Sequence, residues 1–545
     1  MKRLRKSNLL LSNSFLLLLF SILHFPFSVL SAQNVAVIVP ESLQNALMTW
    51  VKYRTAQGYT VHVIPSGKSF NRDSLPPNLS AVFLAGSSRL IPSPRFGSIL
   101  IQHFSEENHF ASDDWYADRN NDGVPDCPVG RFPVDTPEEL SLLIQKTIRY
   151  ETQIQPGPWC RRIQAVAGIG NFSPVIDNVI ESAVRYILTQ TVPNSWDIAL
   201  LHAHWQSPFC PAPLDFQTEL TATLNRGTLF WCYMGHGNHR QLDPLTIPDG
   251  RLPTIDAEHL PVLCCRDTMP IMLLLCCYGG TLDAATRSLA EEFVLQKEGP
   301  VAAVAASRTT MPYGMSIFGL ELLHTLFEKQ EQGLTLGQLV WETKYKVLFP
   351  KKDGQALRRP TTEAEVKKTN RRPVREMLDT LAKSFDPFPD KLAQQRAEQT
   401  AMFNLFGDPL LKLPIPKQIQ LTAPARTKAG TTVSLTGTVP DGGIKAVHIE
   451  LVPAVGRISL QSPRRKEYRQ DAETQKQDNE EYRRSNEQAV FSHEVPVSAG
   501  TFTAEIPVPE NVFGDYVFRA FGSTEQNFAM GSVGITVRLV KPARE

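Results

Sequence analysis

Two stretches decide how this chain reads: Thr228-Leu229-Phe230-Trp231-Cys232-Tyr233-Met234-Gly235-His236-Gly237 and Ile271-Met272-Leu273-Leu274-Leu275-Cys276-Cys277-Tyr278-Gly279-Gly280. Each is an apolar run that stops at a reactive residue and then at glycine. Runs of this length read as buried strands. Parallel sheets carry their functional groups at the carboxyl ends of such strands. A histidine and a thiol are therefore expected side by side at the mouth of one sheet. An imidazole beside a cysteine promotes the thiolate, and a thiolate attacks carbonyl carbon.

The same rhythm extends outward. Val35–Val39 reads as a buried strand, Ser42 to Gln57 as a helix with Leu43, Leu47, Trp50 and Val51 on one face, and Gly58 as its stop. Thr60–Ile64 and Ala81–Ala85 read as further strands. The pattern restarts at Ile163–Ala167, with a helix at 176–188, a strand at Ile198–His202, a helix at Phe216–Asn225, a helix at Ala284–Gln296 and a strand at Val301–Ala305. Strand–helix alternation predicts an α/β parallel sheet in two halves, split near Pro156-Gly157-Pro158. Residues 350 to 400 are charged and poor in large apolar groups, which predicts an exposed insertion or lid. From Ile419 onward, period-two runs separated by turns predict an antiparallel β-sandwich of Ig-like type. Arg464 to Asn486 is almost wholly polar, which predicts a mobile loop within it. The expected domains are a signal peptide at 1–32, an N-terminal α/β subdomain at 33–158, a catalytic subdomain at 159–416 and an Ig-like domain at 417–545.

Lys2, Arg3, Arg5 and Lys6 precede an apolar stretch from Leu9 to Leu23, and Ser31-Ala32 offers a cleavage site. The chain is expected to be secreted or held at the cell surface, with no membrane span once the signal is removed. A net charge of +1 gives no electrostatic basis for binding nucleic acid. Eight cysteines in an exported chain predict disulfides, with Cys127, Cys160, Cys210, Cys232, Cys264 and Cys265 as candidates.

Several separated segments together resemble the gingipain-type cysteine peptidases, relatives of caspases and legumains. They include Val82-Phe-Leu-Ala-Gly86, Ser112-Asp113-Asp114-Trp115-Tyr116, Pro125 to Pro133, Tyr233-Met-Gly-His-Gly237, the Cys277 segment and Phe403-Asn404-Leu405-Phe406-Gly407-Asp408-Pro409. The resemblance implies a caspase-like α/β catalytic unit followed by an Ig-like domain, and hydrolysis of proteins or peptides by a cysteine–histidine dyad. His236 matches the family histidine. Family cysteines follow a small residue and precede a glycine by three positions, an apolar residue by five and an acid by six. Cys277 satisfies this with Gly280, Leu282 and Asp283, and Cys276 is the alternative nucleophile. The oxyanion hole would come from the N–H groups of Gly237 and the nucleophile. In gingipains that cut after arginine, an acid lies in the specificity pocket. Asp177 falls at the matching place, where it also reads as an N-cap. A family glutamate that assists the histidine has no clear counterpart here, the nearest position being Asn171. A transpeptidase of the same fold, and an inactive binding or adhesion protein, are the alternative functions.

The chemistry calls for no cofactor. Asp118, Asn120, Asp122 and Asp126 have the alternate spacing of a calcium loop, with Gly123 at the turn, but no glutamate closes it as in an EF-hand. A structural calcium ion or a turn of hairpin formers are the two readings. His202, His204 and His239 lack any metal-ligand spacing that would specify zinc.

Overall fold

The computed structural model describes residues 33–67, 70–98, 107–168, 191–329, 332–349, 373–386, 388–440, 443–454 and 465–539. The signal segment, Asn171, Asp177 and the 176–188 helix lie outside them.

Ten strands form one sheet in the order Tyr59–Pro65, Gln33–Val39, Leu79–Ala85, Val129–Phe132, Phe403–Phe406, Ala302–Ala306, Ile271–Leu275, Phe230–Met234, Arg162–Ala167 and Asp197–His202. All neighbours are parallel except Phe403–Phe406 against Ala302–Ala306. The sheet therefore reverses direction once, and this strand joins its two halves. Apolar layers cover both faces, so Ile271–Leu275 is buried along its whole length. Such unbroken burial is why these strands read as continuous apolar runs rather than as alternating ones.

The helix Gln44–Ala56 turns Trp50 and Arg54 onto the first half of the sheet. Arg54 is buried between Glu151 at 2.9 Å and Asp408 at 2.7 Å. Trp50 Nε1 also donates to Asp408. A carboxylate from the segment after the joining strand thus fixes the N-terminal helix.

The C-terminal part is an antiparallel β-sandwich of Ig-like type. One sheet centres on Ala446–Pro453, Gly514–Ser523 and Phe528–Arg538, and the other holds Gln420–Thr422, Thr432–Thr438 and Thr501–Pro507. Thr432–Thr438 alternates exposed and buried residues, as the period-two reading requires. Leu435, Ile449, Ile506 and Phe518 fill the space between the sheets.

Four expectations are corrected. Residues 373–400 are not an exposed insertion: Pro373–Phe385 and Leu392–Met402 are helices packed on the catalytic unit. Arg375 and Gln395 are buried against polar partners. The Arg375 guanidinium donates to the Lys346 and Val347 carbonyls at 3.1 and 2.8 Å and meets Glu321 at 3.2 Å, at the end of the Leu336–Leu348 helix. The polar segment before Asn486 is not a loose loop either. Ala472–Asn486 is a helix, capped by Asp471, that lies against the catalytic unit. Asn479 accepts the Ala212 N–H at 2.9 Å, and Asn486 accepts the Leu200 N–H at 2.8 Å. Arg465 reaches the carbonyls of Cys210 and Trp205 at 2.6 and 3.1 Å. The third correction concerns the cysteines, all eight of which are free. Cys127, Cys160, Cys210, Cys265 and Cys276 are buried and Cys232 is half-buried, and burial pushes Cys127, Cys160, Cys210, Cys232 and Cys265 up to about 12. Finally, the helix expected over Ala284–Gln296 spans only Leu289–Leu295, because Ser288 caps it in a box with Glu291.

Candidate active site

The His236 and Cys277 strands are neighbours in register. Leu275 lies opposite Met234, and the Gly235 N–H donates to the Leu275 carbonyl at 3.2 Å. The residues that follow each strand emerge together at the sheet's carboxyl end.

Cys276 and Cys277 face opposite ways. Cys276 is fully buried beneath the site, and burial pushes its thiol well above the ordinary range. Cys277 is partly exposed. Its Sγ accepts the Thr310 backbone N–H at 3.3 Å and lies 3.6 Å from Thr310 Oγ1. The next residue, Tyr278, takes the left-handed backbone conformation, with φ of 59°. A side chain in that region costs about 1–3 kcal/mol and persists only where its surroundings hold it. Here the Tyr278 N–H is tied to the Arg308 carbonyl at 3.2 Å, and its hydroxyl donates to Glu107 at 3.2 Å.

The glycine three positions after Cys277 has a steric cause. A Cβ on Gly280 would lie 2.8 Å from both the Ala305 Cβ and the Phe406 ring. The acid at the sixth position, Asp283, is paired rather than free. It meets Arg308 at 2.6 Å and Arg95 at 2.7 Å, and these guanidinium groups hold it below the usual carboxylate range against the opposing effect of burial.

On the histidine side the chain leaves its strand and folds back as a hairpin. Gly237 bridges Leu242 in antiparallel fashion, and the Asn238 N–H donates to the Gln241 carbonyl at 2.9 Å. The hairpin lies close over the cysteines. A Cβ on Gly237 would sit 2.9 Å from Cys276 Sγ and 3.5 Å from the Cys277 carbonyl oxygen. The Tyr233 hydroxyl donates to the His236 carbonyl at 2.6 Å and so anchors the hairpin's first residue from below. Asp243, on the returning arm, faces this region. Sequence reading missed it, because only the hairpin register brings it to the histidine.

The other expected sites stand apart. Asp118 accepts the Asp122 and Gly123 N–H groups at 3.1 and 2.8 Å. Asn120 accepts the Asp122 N–H at 3.2 Å, Asp122 the Val124 N–H at 3.0 Å, and Asp126 the Arg119 N–H at 3.2 Å. These oxygens build the turn. Among the described residues no group of three or more His, Cys, Asp or Glu side chains is arranged to hold a metal ion. The His202 and His204 rings lie 5.7 Å apart on the edge strand's exit, and His239 bonds Thr286.

Residues 29–414 match the model of peptidase family C25. The chain belongs to that family. It is a cysteine-type peptidase. Two similar solved structures are the complex of Porphyromonas gingivalis RgpB pro- and mature domains and the Arg-specific cysteine proteinase gingipain R. They are 15% and 14% identical, align over 93% of this chain and 100% and 98% of theirs, and each gives a TM-score of 0.50. A further solved protease is 13% identical, with a TM-score of 0.51, over 93% of this chain and 97% of its own. At such identity the likeness bears on fold alone. No curated protein matches.

Proposed function

We propose that this C25 peptidase is an exported endopeptidase whose Cys277 attacks the scissile carbonyl of protein or peptide substrates. The observation that carries the reading is the pairing of strand ends: one strand ends in a partly exposed sulfur held by the Thr310 N–H, and its neighbour in the sheet ends in the Gly-His-Gly hairpin. Attack by the Cys277 sulfur forms the C–S bond and moves the carbonyl electrons onto oxygen. The N–H groups of Gly237 and Cys277 stabilise that charge. His236 then gives a proton to the leaving amine as the C–N bond breaks, leaving a thioester. Water attacks the thioester with His236 taking its proton, and the thiol returns. Glycine at 237 suits this role, because a side chain would fill the space beside the cysteines.

Cleavage after arginine or lysine is the specificity we propose, with Asp177 pairing the substrate cation. Its support is the resemblance of the surrounding sequence to arginine-cutting relatives. Export rests on the basic and apolar N-terminal residues. Among the described residues no helix is long and apolar enough to cross a membrane. We propose no cofactor for the chemistry. A structural calcium ion at the Asp118–Asp126 turn is testable by thermal melting with calcium against chelator: a raised melting point supports it, and an unmoved one removes it.

The test is labelling with thiol-directed peptidyl probes bearing arginine, lysine or leucine next to the warhead, mapped by peptide mass. The reading expects the adduct on Cys277, with the basic probes preferred, and loss of that preference in Asp177→Asn. Wild-type protein left unlabelled by every probe would overturn it.

A further inference from the structure

We infer that Asp243 is the carboxylate that orients His236 and supports its charge, acting as a positioning residue for the proposed dyad. The inference rests on the peptidase reading of His236 and deepens it. The geometry comes from the hairpin register. Gly237 is bridged to Leu242, the Asn238 N–H donates to the Gln241 carbonyl at 2.9 Å, and the Asp243 N–H donates to the His236 carbonyl at 3.4 Å. These three contacts make His236 and Asp243 directly opposed residues on antiparallel arms. Opposed residues present their side chains on the same face, with Cβ atoms about 4.5–5.5 Å apart. At that spacing each charge is felt by the other.

The returning arm is held as a positioning element needs to be. Leu242 is buried, its N–H donates to the Ile255 carbonyl at 2.9 Å, and Thr254 Oγ1 donates to the Asp243 carbonyl at 2.7 Å. On the other arm, the Tyr233 hydroxyl grips the His236 carbonyl. Both backbones are thus fixed, and with them the places from which the two side chains start.

The electrostatics agree. Burial pushes the Asp243 carboxyl above its ordinary range, and the nearby charge of His236, then of Arg251, pulls it back. Among the described residues the Tyr233 phenol and the Cys276 thiol also face the pair, and burial pushes both up, so both stay neutral. Asp243 is therefore the carboxylate that the described residues bring to the histidine. A carboxylate on an imidazole selects its tautomer and stabilises the imidazolium formed during proton transfer.

The experiment is the titration of the His236 ring by NMR of histidine-labelled protein, assigned with His236→Gln, in wild type, Asp243→Asn and Asp243→Glu. It is run together with the pH profile of peptide turnover. Removing a nearby opposite charge is expected to lower the His236 titration by about one pH unit or more. Turnover should fall on the order of tenfold or more, mostly in kcat. Asp243→Glu should return both readouts toward wild type. If Asp243→Asn does not fold, Asp243→Ser carries the same comparison. A His236 titration unmoved in the folded variant overturns the inference, even if turnover is lost. A shifted titration in a protein whose wild type turns over no peptide upholds the pairing and refutes the peptidase mechanism.

Discussion

The backbone N–H of Thr310 donates to Sγ of Cys277 across 3.3 Å, two residues before the helix Pro312–Lys329 begins. This bond separates two adjacent thiols. Cys277 is partly exposed, and Cys276 is turned into the core against Gly237 and Gly279.

That separation predicts unequal reactivity. Iodoacetamide needs an accessible thiolate, and Cys276 gains one only when the site opens locally. Peptide mapping of briefly alkylated native protein should find Cys277 modified faster than Cys276 by on the order of tenfold or more. The exposed Cys264 should also be labelled. Equal modification of the adjacent pair would reject the assignment of Cys277.

Gly237 should tolerate no side chain. In Gly237→Ala the new Cβ would meet Cys276 Sγ at 2.9 Å and its Cβ at 3.1 Å. Overpacking of this kind costs about 1–3 kcal/mol. The hairpin can escape only by lifting from the cysteines, which moves both the proposed oxyanion donor and His236. Turnover should fall by about a hundredfold or more while the protein stays folded. A variant with wild-type kcat would show that the hairpin backbone takes no part in the chemistry.

The sandwich and the catalytic unit meet through charge. Arg519 bonds Glu450 at 2.5 Å and Asp197 at 3.2 Å, and Arg161 reaches Glu450 at 2.8 Å. Burial raises both carboxyl groups, but the arginines, Arg519 foremost, outweigh it and hold both below the ordinary range. A depressed folded value stabilises the folded state above the unfolded value of about 4, and the benefit is lost as pH falls through the folded value. Calorimetry should therefore show the contact weakening below about pH 4. Arg519→Ala should cost about 3 kcal/mol at neutral pH, because it leaves two carboxylates without their shared partner. A melting profile that is the same for variant and wild type from neutral to acid pH would contradict this.

The strands and their ends were legible because a two-faced parallel sheet buries every residue of Ile271–Leu275 and most of Phe230–Met234, and leaves a chemical change where each strand stops. Cys277 and His236 stood at those changes. Asp243 was not legible, because its relation to His236 depends on the hairpin's register, and the turn formers Gly237-Asn238 mark a turn without fixing which residue of the returning arm lies opposite His236. Arg375 and Asn486 misled for a different reason. Polar residues normally mark exposed segments, yet Arg375 is buried and Asn486 half-buried against backbone groups of the Leu336–Leu348 helix and the Asp197–His202 strand. Nothing local in the sequence records those partners. The joining strand Phe403–Phe406 is only four residues long, too short for periodicity to identify.

The central claim is that Cys277 performs peptide hydrolysis with His236. The most direct test is turnover of fluorogenic peptides that differ only in the residue before the scissile bond, by wild type, Cys277→Ala, Cys276→Ala and His236→Ala. Wild type is expected to cleave after a basic residue, with activity lost in Cys277→Ala and His236→Ala and retained in Cys276→Ala. Activity that survives in Cys277→Ala and vanishes in Cys276→Ala would contradict it.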